Sequence, residues 1–307
     1  MTTPSSLPPG GLLSQEGKDL RGGRHRRIRG NAVFSSTYGP SAVNRTGSAL
    51  AQSRSVHVSL LASVAATPAD TTDRNPGVLP EFVQQCSRVL PANDIGQRSN
   101  PWDDIELPAA LREATAKRQL HFRAGRYCAL RALDALEGHR VPTVPPRAAG
   151  GAPIWPAGIT GSITHTDDYV WAAVARTSQA EALGIDTERI MSAERGARVS
   201  PAIAWPSELA HARAVGCDRL EALTLVFSAK EAIFKCLYGK VGRVFDYRDV
   251  RIVKVAADGT FTSRIWRTLS KEFPAQTLLH GRFEINGPWV HTGMVLSSVF
   301  PEGRWAD

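Results

Sequence analysis

Cysteine is scarce in this chain. The four residues Cys86, Cys128, Cys217 and Cys236 lie far apart in 307, with no Cys-x-x-Cys spacing. That pattern argues against a zinc site and against a disulfide framework, and it reads as reduced packing residues. No stretch approaches the roughly 18 uninterrupted apolar residues of a membrane span, and the N-terminus lacks the charged, apolar, small-residue order of a secretory leader. The expected location is therefore cytoplasmic, with no membrane partner. No direct internal repeat is visible either. Ser162 lies near His165, but Ile163-Thr164 does not supply the flanking glycines of a Gly-x-Ser-x-Gly elbow, so a serine hydrolase is rejected.

An apolar content of 42% suffices for a proper core, and 307 residues allow two domains or one pseudo-duplicated unit. The formal charge of +8 suggests nucleic acid until it is located. Residues 1–75 carry nine basic and four acidic side chains, +5 of the total, leaving +3 for the rest. This segment is rich in Ser, Gly, Pro, Thr and Ala and has no apolar periodicity, so it cannot offset the entropy of ordering itself. A disordered basic tail is expected there. An RNA-binding arm, a mistaken start codon and an inert linker all fit it, and a nucleic-acid function is not favoured.

From residue 76 the text becomes globular. Pro108-Ala109 opens a helical pattern that runs to Gly138 and carries Arg112, Lys117, Arg118, Arg123, Arg126 and Arg131. Such a cationic face is either a solvated surface or the seat of a phosphate. A loop rich in Pro and Gly follows, over 141–158. Short strands are predicted next, over 161–166, 169–175 and the acidic run 184–188, then a helix start at Pro206-Ser207-Glu208, a helix around 227–238, and strands over 250–255, 260–265, 280–285 and 291–296.

Two stretches carry chemistry. In Gly184-Ile185-Asp186-Thr187-Glu188, read as a strand, the period of two puts Asp186 and Glu188 on one face, a donor pair for a hard cation. An ordinary acidic strand end would look the same. In Phe227-Ser228-Ala229-Lys230-Glu231-Ala232-Ile233-Phe234-Lys235, read as a helix, Val226, Phe227, Ile233, Phe234, Leu237 and Tyr238 share one arc, with Lys230 inside it and Glu231 at its edge. Charges at a core stripe need partners, either each other or a ligand. A Glu231–Lys235 pair at i, i+4 accounts for Lys235 and leaves Lys230 unexplained. Together, three carboxylates and two lysines suit a divalent metal facing a phosphorylated ligand. For His165, a buried histidine satisfied by backbone and a phosphate contact are equally open.

These stretches, with Trp155-Pro156-Ala157-Gly158-Ile159-Thr160-Gly161-Ser162-Ile163-Thr164-His165, Arg123-Ala124-Gly125-Arg126-Tyr127-Cys128-Ala129, Gly281-Arg282-Phe283 and Thr292, resemble in order and spacing the Sfp-type 4'-phosphopantetheinyl transferases, in the enterobactin synthase component D-like branch. The resemblance covers about residues 76–300. It implies that Asp186, Glu188 and Glu231 bind Mg2+, with Lys230 and Lys235 facing phosphate. It further implies that Ser162 and His165 contact the phosphates of coenzyme A, that Arg123 and Arg126 meet its 3'-phosphate together with Arg118, and that Gly151 to Pro153 line the adenine. The implied activity is that of a holo-[acyl-carrier-protein] synthase. The phosphopantetheine arm passes from coenzyme A to a serine of an apo acyl or peptidyl carrier protein, with Glu231 or a metal-bound water as base. Thr187 stands where the family usually has Ile or Val, and implies a packing change. A non-catalytic coenzyme A or nucleotide-binding protein is the alternative.

The expected fold is α+β. Two similar α/β lobes, residues 76–182 and 183–300, form a pseudo-dimer behind the tail of residues 1–75, and a monomer is expected. A catalytic region of net +3 would steer toward an acidic carrier protein.

Overall fold

A computed structural model of the protein describes residues 74–90, 100–148 and 151–297, all within one compact unit. The tail expected over 1–75 lies outside the described residues except at its end. There Asn75 Nδ2 donates to the Gln85 carbonyl (3.1 Å) and Ser87 Oγ to that of Arg74 (3.4 Å), so the globular part begins at least two residues earlier than expected.

The chain order is β1 (Gln84–Val89), α1 (Ala109–Arg112), α2 (Ala116–Glu137), β2 (Ile159–His165), β3 (Tyr169–Arg176), β4 (Ala182–Arg189), α3 (Ala193–Ile203), α4 (Pro206–Ala214), α5 (Arg219–Val241), a 3-10 turn (Tyr247–Asp249), β5 (Val250–Val255), β6 (Thr260–Ile265), β7 (Leu278–Asn286) and β8 (Trp289–Leu296). The long helix expected from Pro108 is broken. Thr115 is extended at φ −57°, ψ 149°, and its hydroxyl accepts the Arg118 amide, so a new helix starts there. Gly138 ends it in the left-handed region at φ 72°. Helix α5 is framed more firmly: Asp218 and Glu221 form a reciprocal capping box at its start.

The strands form two antiparallel sheets, β1-β3-β2 and β4-β8-β7-β6-β5. Helix α2 covers one face of the first through Ala124, Cys128, Ala129, Val170 and Ala172. The other face of β3, with Tyr169, Trp171, Ala173 and Ala175, packs on Leu183, Ile185 and Val295 of the second sheet. Helix α5 fills the opposite face of that sheet through Val226, Ile233, Leu237, Val290 and Met294. Full burial of side chains of this size stabilises by roughly 1.5–3 kcal/mol each. Strands β2 and β4 are the facing edges of their sheets. Here hydroxyls stand in for a ladder: the Ile185 amide donates to Ser162 Oγ and the Thr187 amide to Thr164 Oγ1, each at 3.2 Å. The four cysteines are free thiols, and among the described residues no helix is long and apolar enough to cross a membrane.

Candidate active site

The site is built where α5 crosses β4. A Cβ on Gly184 would lie 2.0 Å from the Ala232 carbonyl oxygen and 2.6 Å from Cys236 N, so the helix rests on bare strand backbone. Two and four residues on from Gly184, Asp186 and Glu188 share its face, beneath Glu231 and Lys235 of the helix. Asp186 is buried. Its Oδ1 accepts from Lys235 Nζ (2.6 Å) and Thr164 Oγ1 (3.0 Å), while Oδ2 is buried with no hydrogen-bond partner. Glu188 Oε2 takes both terminal nitrogens of Arg195 at 3.3 Å, and Glu231 Oε1 accepts the Tyr247 hydroxyl. Burial, and then the neighbouring Asp186 charge, push the Glu188 carboxyl up to about 8 and raise that of Glu231. The three acids thus feel one another, yet each is turned to a cation or hydroxyl. Among the described residues no group of three His, Cys, Asp or Glu side chains is drawn together as a ready-made metal cage.

A cluster of cationic side chains lies on the other side of β2. His165, on the face of β2 toward α2, stacks on His121 with ring centroids 4.5 Å apart. His121 Nε2 and His165 Nδ1 are buried without a hydrogen-bond partner. Burial, then the charge of His121, then Lys235, drives the His165 imidazole down to about 3, so it is a neutral ring. Arg126 is buried with an unpartnered Nε and is lowered to about 10 by burial and by Arg147; Arg118 is lowered for the same two reasons. Arg118 and Arg126, both facing the charge of Arg147 beside buried donors, make an anion cradle with it. Gly151, at φ 92°, admits Arg147: a Cβ there would lie 2.9 Å from its Nη2. Beside it Arg147 and Pro153 form an isolated bridge, and the Ile154 amide donates to the Pro146 carbonyl at 2.9 Å.

The structure brings together Asp186, Glu188, Glu231 and Lys235, and on the arginine side Arg118, Arg126, Gly151, Pro153 and His165. Three of the expected residues stand elsewhere. Lys230 is not at the site. Its ammonium is 1% exposed, bonded to Glu208 (2.9 Å to Oε1) and to the Ile203 carbonyl (2.8 Å), because position 230 turns about 100° away from 231 into the core. Ser162 faces β4 and accepts the Ile185 amide, joining the sheets instead of opening on the arginines. Arg123 donates through Nε to the Ile105 carbonyl (3.0 Å), on the side of the loop before α1. Thr187, as expected, points away from the acids, to His291 Nδ1 at 3.0 Å.

Sequence reasoning missed Tyr247, Arg195, Arg147 and His121. Only His121 carried a signal, standing three residues from Arg118 on a basic helix. The others reach the site from loops or from elements whose neighbours only the tertiary fold defines.

Arginines set against carboxylates on a strand and helix are an arrangement suited to a phosphate ester. The matching family models agree: residues 107–175 match the 4'-phosphopantetheinyl transferase N-terminal domain, and residues 182–286 the 4'-phosphopantetheinyl transferase superfamily. The chain belongs to the 4'-phosphopantetheinyl transferases, of the Sfp and enterobactin synthase component D type. Similar proteins include the 4'-phosphopantetheinyl transferase Svp of Streptomyces mobaraensis, 36% identical over 52% of this chain and 64% of Svp. PptT of Mycobacterium tuberculosis is 34% identical over 62% of this chain and 84% of PptT. Enterobactin synthase component D of Salmonella typhimurium is 36% identical over 43% of this chain and 53% of that protein.

Proposed function

We propose that the protein transfers the 4'-phosphopantetheine arm of coenzyme A to a serine hydroxyl of an apo acyl or peptidyl carrier protein, with adenosine 3',5'-bisphosphate as leaving group. The single observation that carries this reading is the juxtaposition of buried Asp186 and the raised carboxyls of Glu188 and Glu231 with a cluster of arginines behind β2. Lys235 links the two, since it bonds Asp186 and its charge is felt by His165.

Magnesium fits this donor set. The buried, unpartnered Oδ2 of Asp186 and the raised Glu188 and Glu231 carboxyls are what an oxygen-liganded dication would relieve. Asp186, Glu188 and Glu231 would hold it, and when bound it would neutralise charge on the pyrophosphate. The remaining work falls to the chain itself. Arg118, Arg126 and Arg147 bind the nucleotide phosphates, the turn at Gly151 to Pro153 receives the adenine, and neutral His165 offers a ring N–H without adding charge. Glu231 takes the serine proton as the serine oxygen forms its bond to phosphorus and the phosphoanhydride bond to the bisphosphate breaks. Tyr247, donating to Oε1 of Glu231, fixes the carboxylate so that the other oxygen faces the nucleophile. Lys235 supplies positive charge to the oxygens of the transferred phosphoryl group.

The two sheets, each backed by one long helix, support a reading as two α/β lobes, 76–182 and 183–300, with coenzyme A between them in a monomer acting in the cytoplasm. The enterobactin synthase relatives make a siderophore carrier domain one substrate to include. The test is incubation with coenzyme A, Mg2+ and a panel of apo carrier domains, followed by intact mass. The reading expects one phosphopantetheine added at the carrier serine. Binding of coenzyme A without any gain on any carrier would favour the non-catalytic alternative.

A further inference from the structure

Resting on the transferase reading, we infer that an arginine–tryptophan face on the 3-10 turn, β5 and the end of β6 is the landing surface for an acidic carrier domain. Across 243–251 and 264–267 the chain places Arg243, Arg248, Arg251, Arg264 and Arg267 against only Asp246 and Asp249. Both acids bond within the turn: exposed Asp246 accepts the Arg248 amide through Oδ1 at 2.8 Å, and buried Asp249 takes the Asp246 amide (2.9 Å) and Arg267 (3.3 Å). Arg251 and Arg264 stand directly opposite on β5 and β6, a like-charge pair that costs stability, and among the described residues no carboxylate bonds either one.

Apolar surface is exposed within this charge. The indole of Trp266 is 42% exposed and Val244 51%. An exposed tryptophan and valine rimmed by guanidinium groups have the composition of a protein interface. Nucleic acid fits less well, because base stacking needs open ring faces. Here the Arg251 guanidinium lies 3.4 Å from the Trp266 centroid and 4.4 Å from that of Trp205, which also carries Arg248 at 4.7 Å. The face is continuous with the chemistry. Arg248 follows Tyr247, whose hydroxyl holds Glu231, so a protein seated there delivers its serine to the proton acceptor rather than to the arginine cluster behind β2.

The test compares wild type with Arg267→Glu, whose side chain is 72% exposed, and with Trp266→Ala. It uses an apo carrier domain that the wild type modifies. Expected is a rise of about ten-fold in KM for the carrier, with a flatter dependence of kcat/KM on salt. Coenzyme A affinity by calorimetry should stay unchanged, and a Glu→Arg change on the surface of the carrier domain should restore modification by Arg267→Glu. Unchanged carrier KM in both variants would overturn the surface while leaving the transferase reading intact. So would a loss of tRNA binding in both without a change in carrier KM. Failure of the wild type to modify any carrier would remove the reading and the surface together.

Discussion

Replacing Gly184 with alanine would set a Cβ 2.0 Å from the Ala232 carbonyl oxygen, 2.6 Å from Cys236 N and 2.8 Å from Cys236 Cβ. Two of these neighbours are helix backbone, so no rotamer change relieves them. Ordinary contact begins near 3.4 Å, and 3.4 less 2.0 means that α5 must rise by about 1.4 Å at the crossing. Glu231 and Lys235 flank that point and rise with it. The Lys235–Asp186 bond of 2.6 Å would stretch toward roughly 4 Å, beyond hydrogen-bond reach. Overpacking of this kind costs about 1–3 kcal/mol, and a misplacement near 1 Å at a reacting group costs about 100-fold in rate. Gly184→Ala should therefore melt several degrees lower and transfer about 100-fold more slowly, with coenzyme A affinity, which rests on α2 and β2, changed far less. Thermal melts, calorimetry and intact-mass rates would check each part. A variant that melts as wild type and transfers at an undiminished rate would refute the claim that the bare strand sets the position of α5.

Other perturbations follow from the same contacts. In metal-free protein Glu188 holds its proton up to about 8 and Glu231 is raised as well, so between pH 6.5 and 8 the folded chain binds more protons than the unfolded one. Its stability should fall as pH rises there, by up to ~1.4 kcal/mol per pH unit for each proton, and Mg2+ should flatten the slope; a melting temperature that climbs through this window without metal would contradict it. Below pH 6.5 His165 and His291, held near 3 and 4 by burial, contribute with the opposite sign: the unfolded chain gains protons that the folded one refuses, so their contribution falls with pH while that of Glu188 persists down to its unfolded value of 4.5. Lys230→Met strands Glu208 in the core and should cost about 3–5 kcal/mol in urea melts while the fraction still folded keeps its coenzyme A affinity; a stable Lys230→Met protein that has lost coenzyme A would restore Lys230 to the site. Arg147→Ala should raise KM for coenzyme A about ten-fold or more at nearly constant kcat, and an equal fall in kcat would place Arg147 in the chemistry instead.

The acidic strand was legible because a period of two is all that is needed to put Asp186 and Glu188 on one face. The helix gave up Glu231 and Lys235 for a similar reason, since positions four apart share a side. Lys230 was misread because a charge on an apolar arc announces only that a partner exists, and that partner, Glu208, lies 22 residues back on α4, where sequence periodicity is silent. Ser162 and Thr164 have hydroxyls suited to phosphate, yet two facing sheet edges needed acceptors for the Ile185 and Thr187 amides and claimed them. Strand β1 and helix α3 went unseen; β1 has a mixed burial pattern, and α3 contains Pro201, a residue that ordinarily argues against a helix interior. Tyr247 arrives from a 3-10 turn, and no local pattern relates such a turn to an acid sixteen residues earlier.

The central claim is that Asp186, Glu188 and Glu231 serve one cation beside the coenzyme. Binding of Mn2+, followed by its electron paramagnetic resonance signal in the presence of coenzyme A, tests it most directly on the wild type and on Asp186→Asn, Glu188→Gln and Glu231→Gln. A single site in the wild type, weakened in every one of the three variants, is the result this account predicts. Undiminished Mn2+ binding in any of them would contradict it.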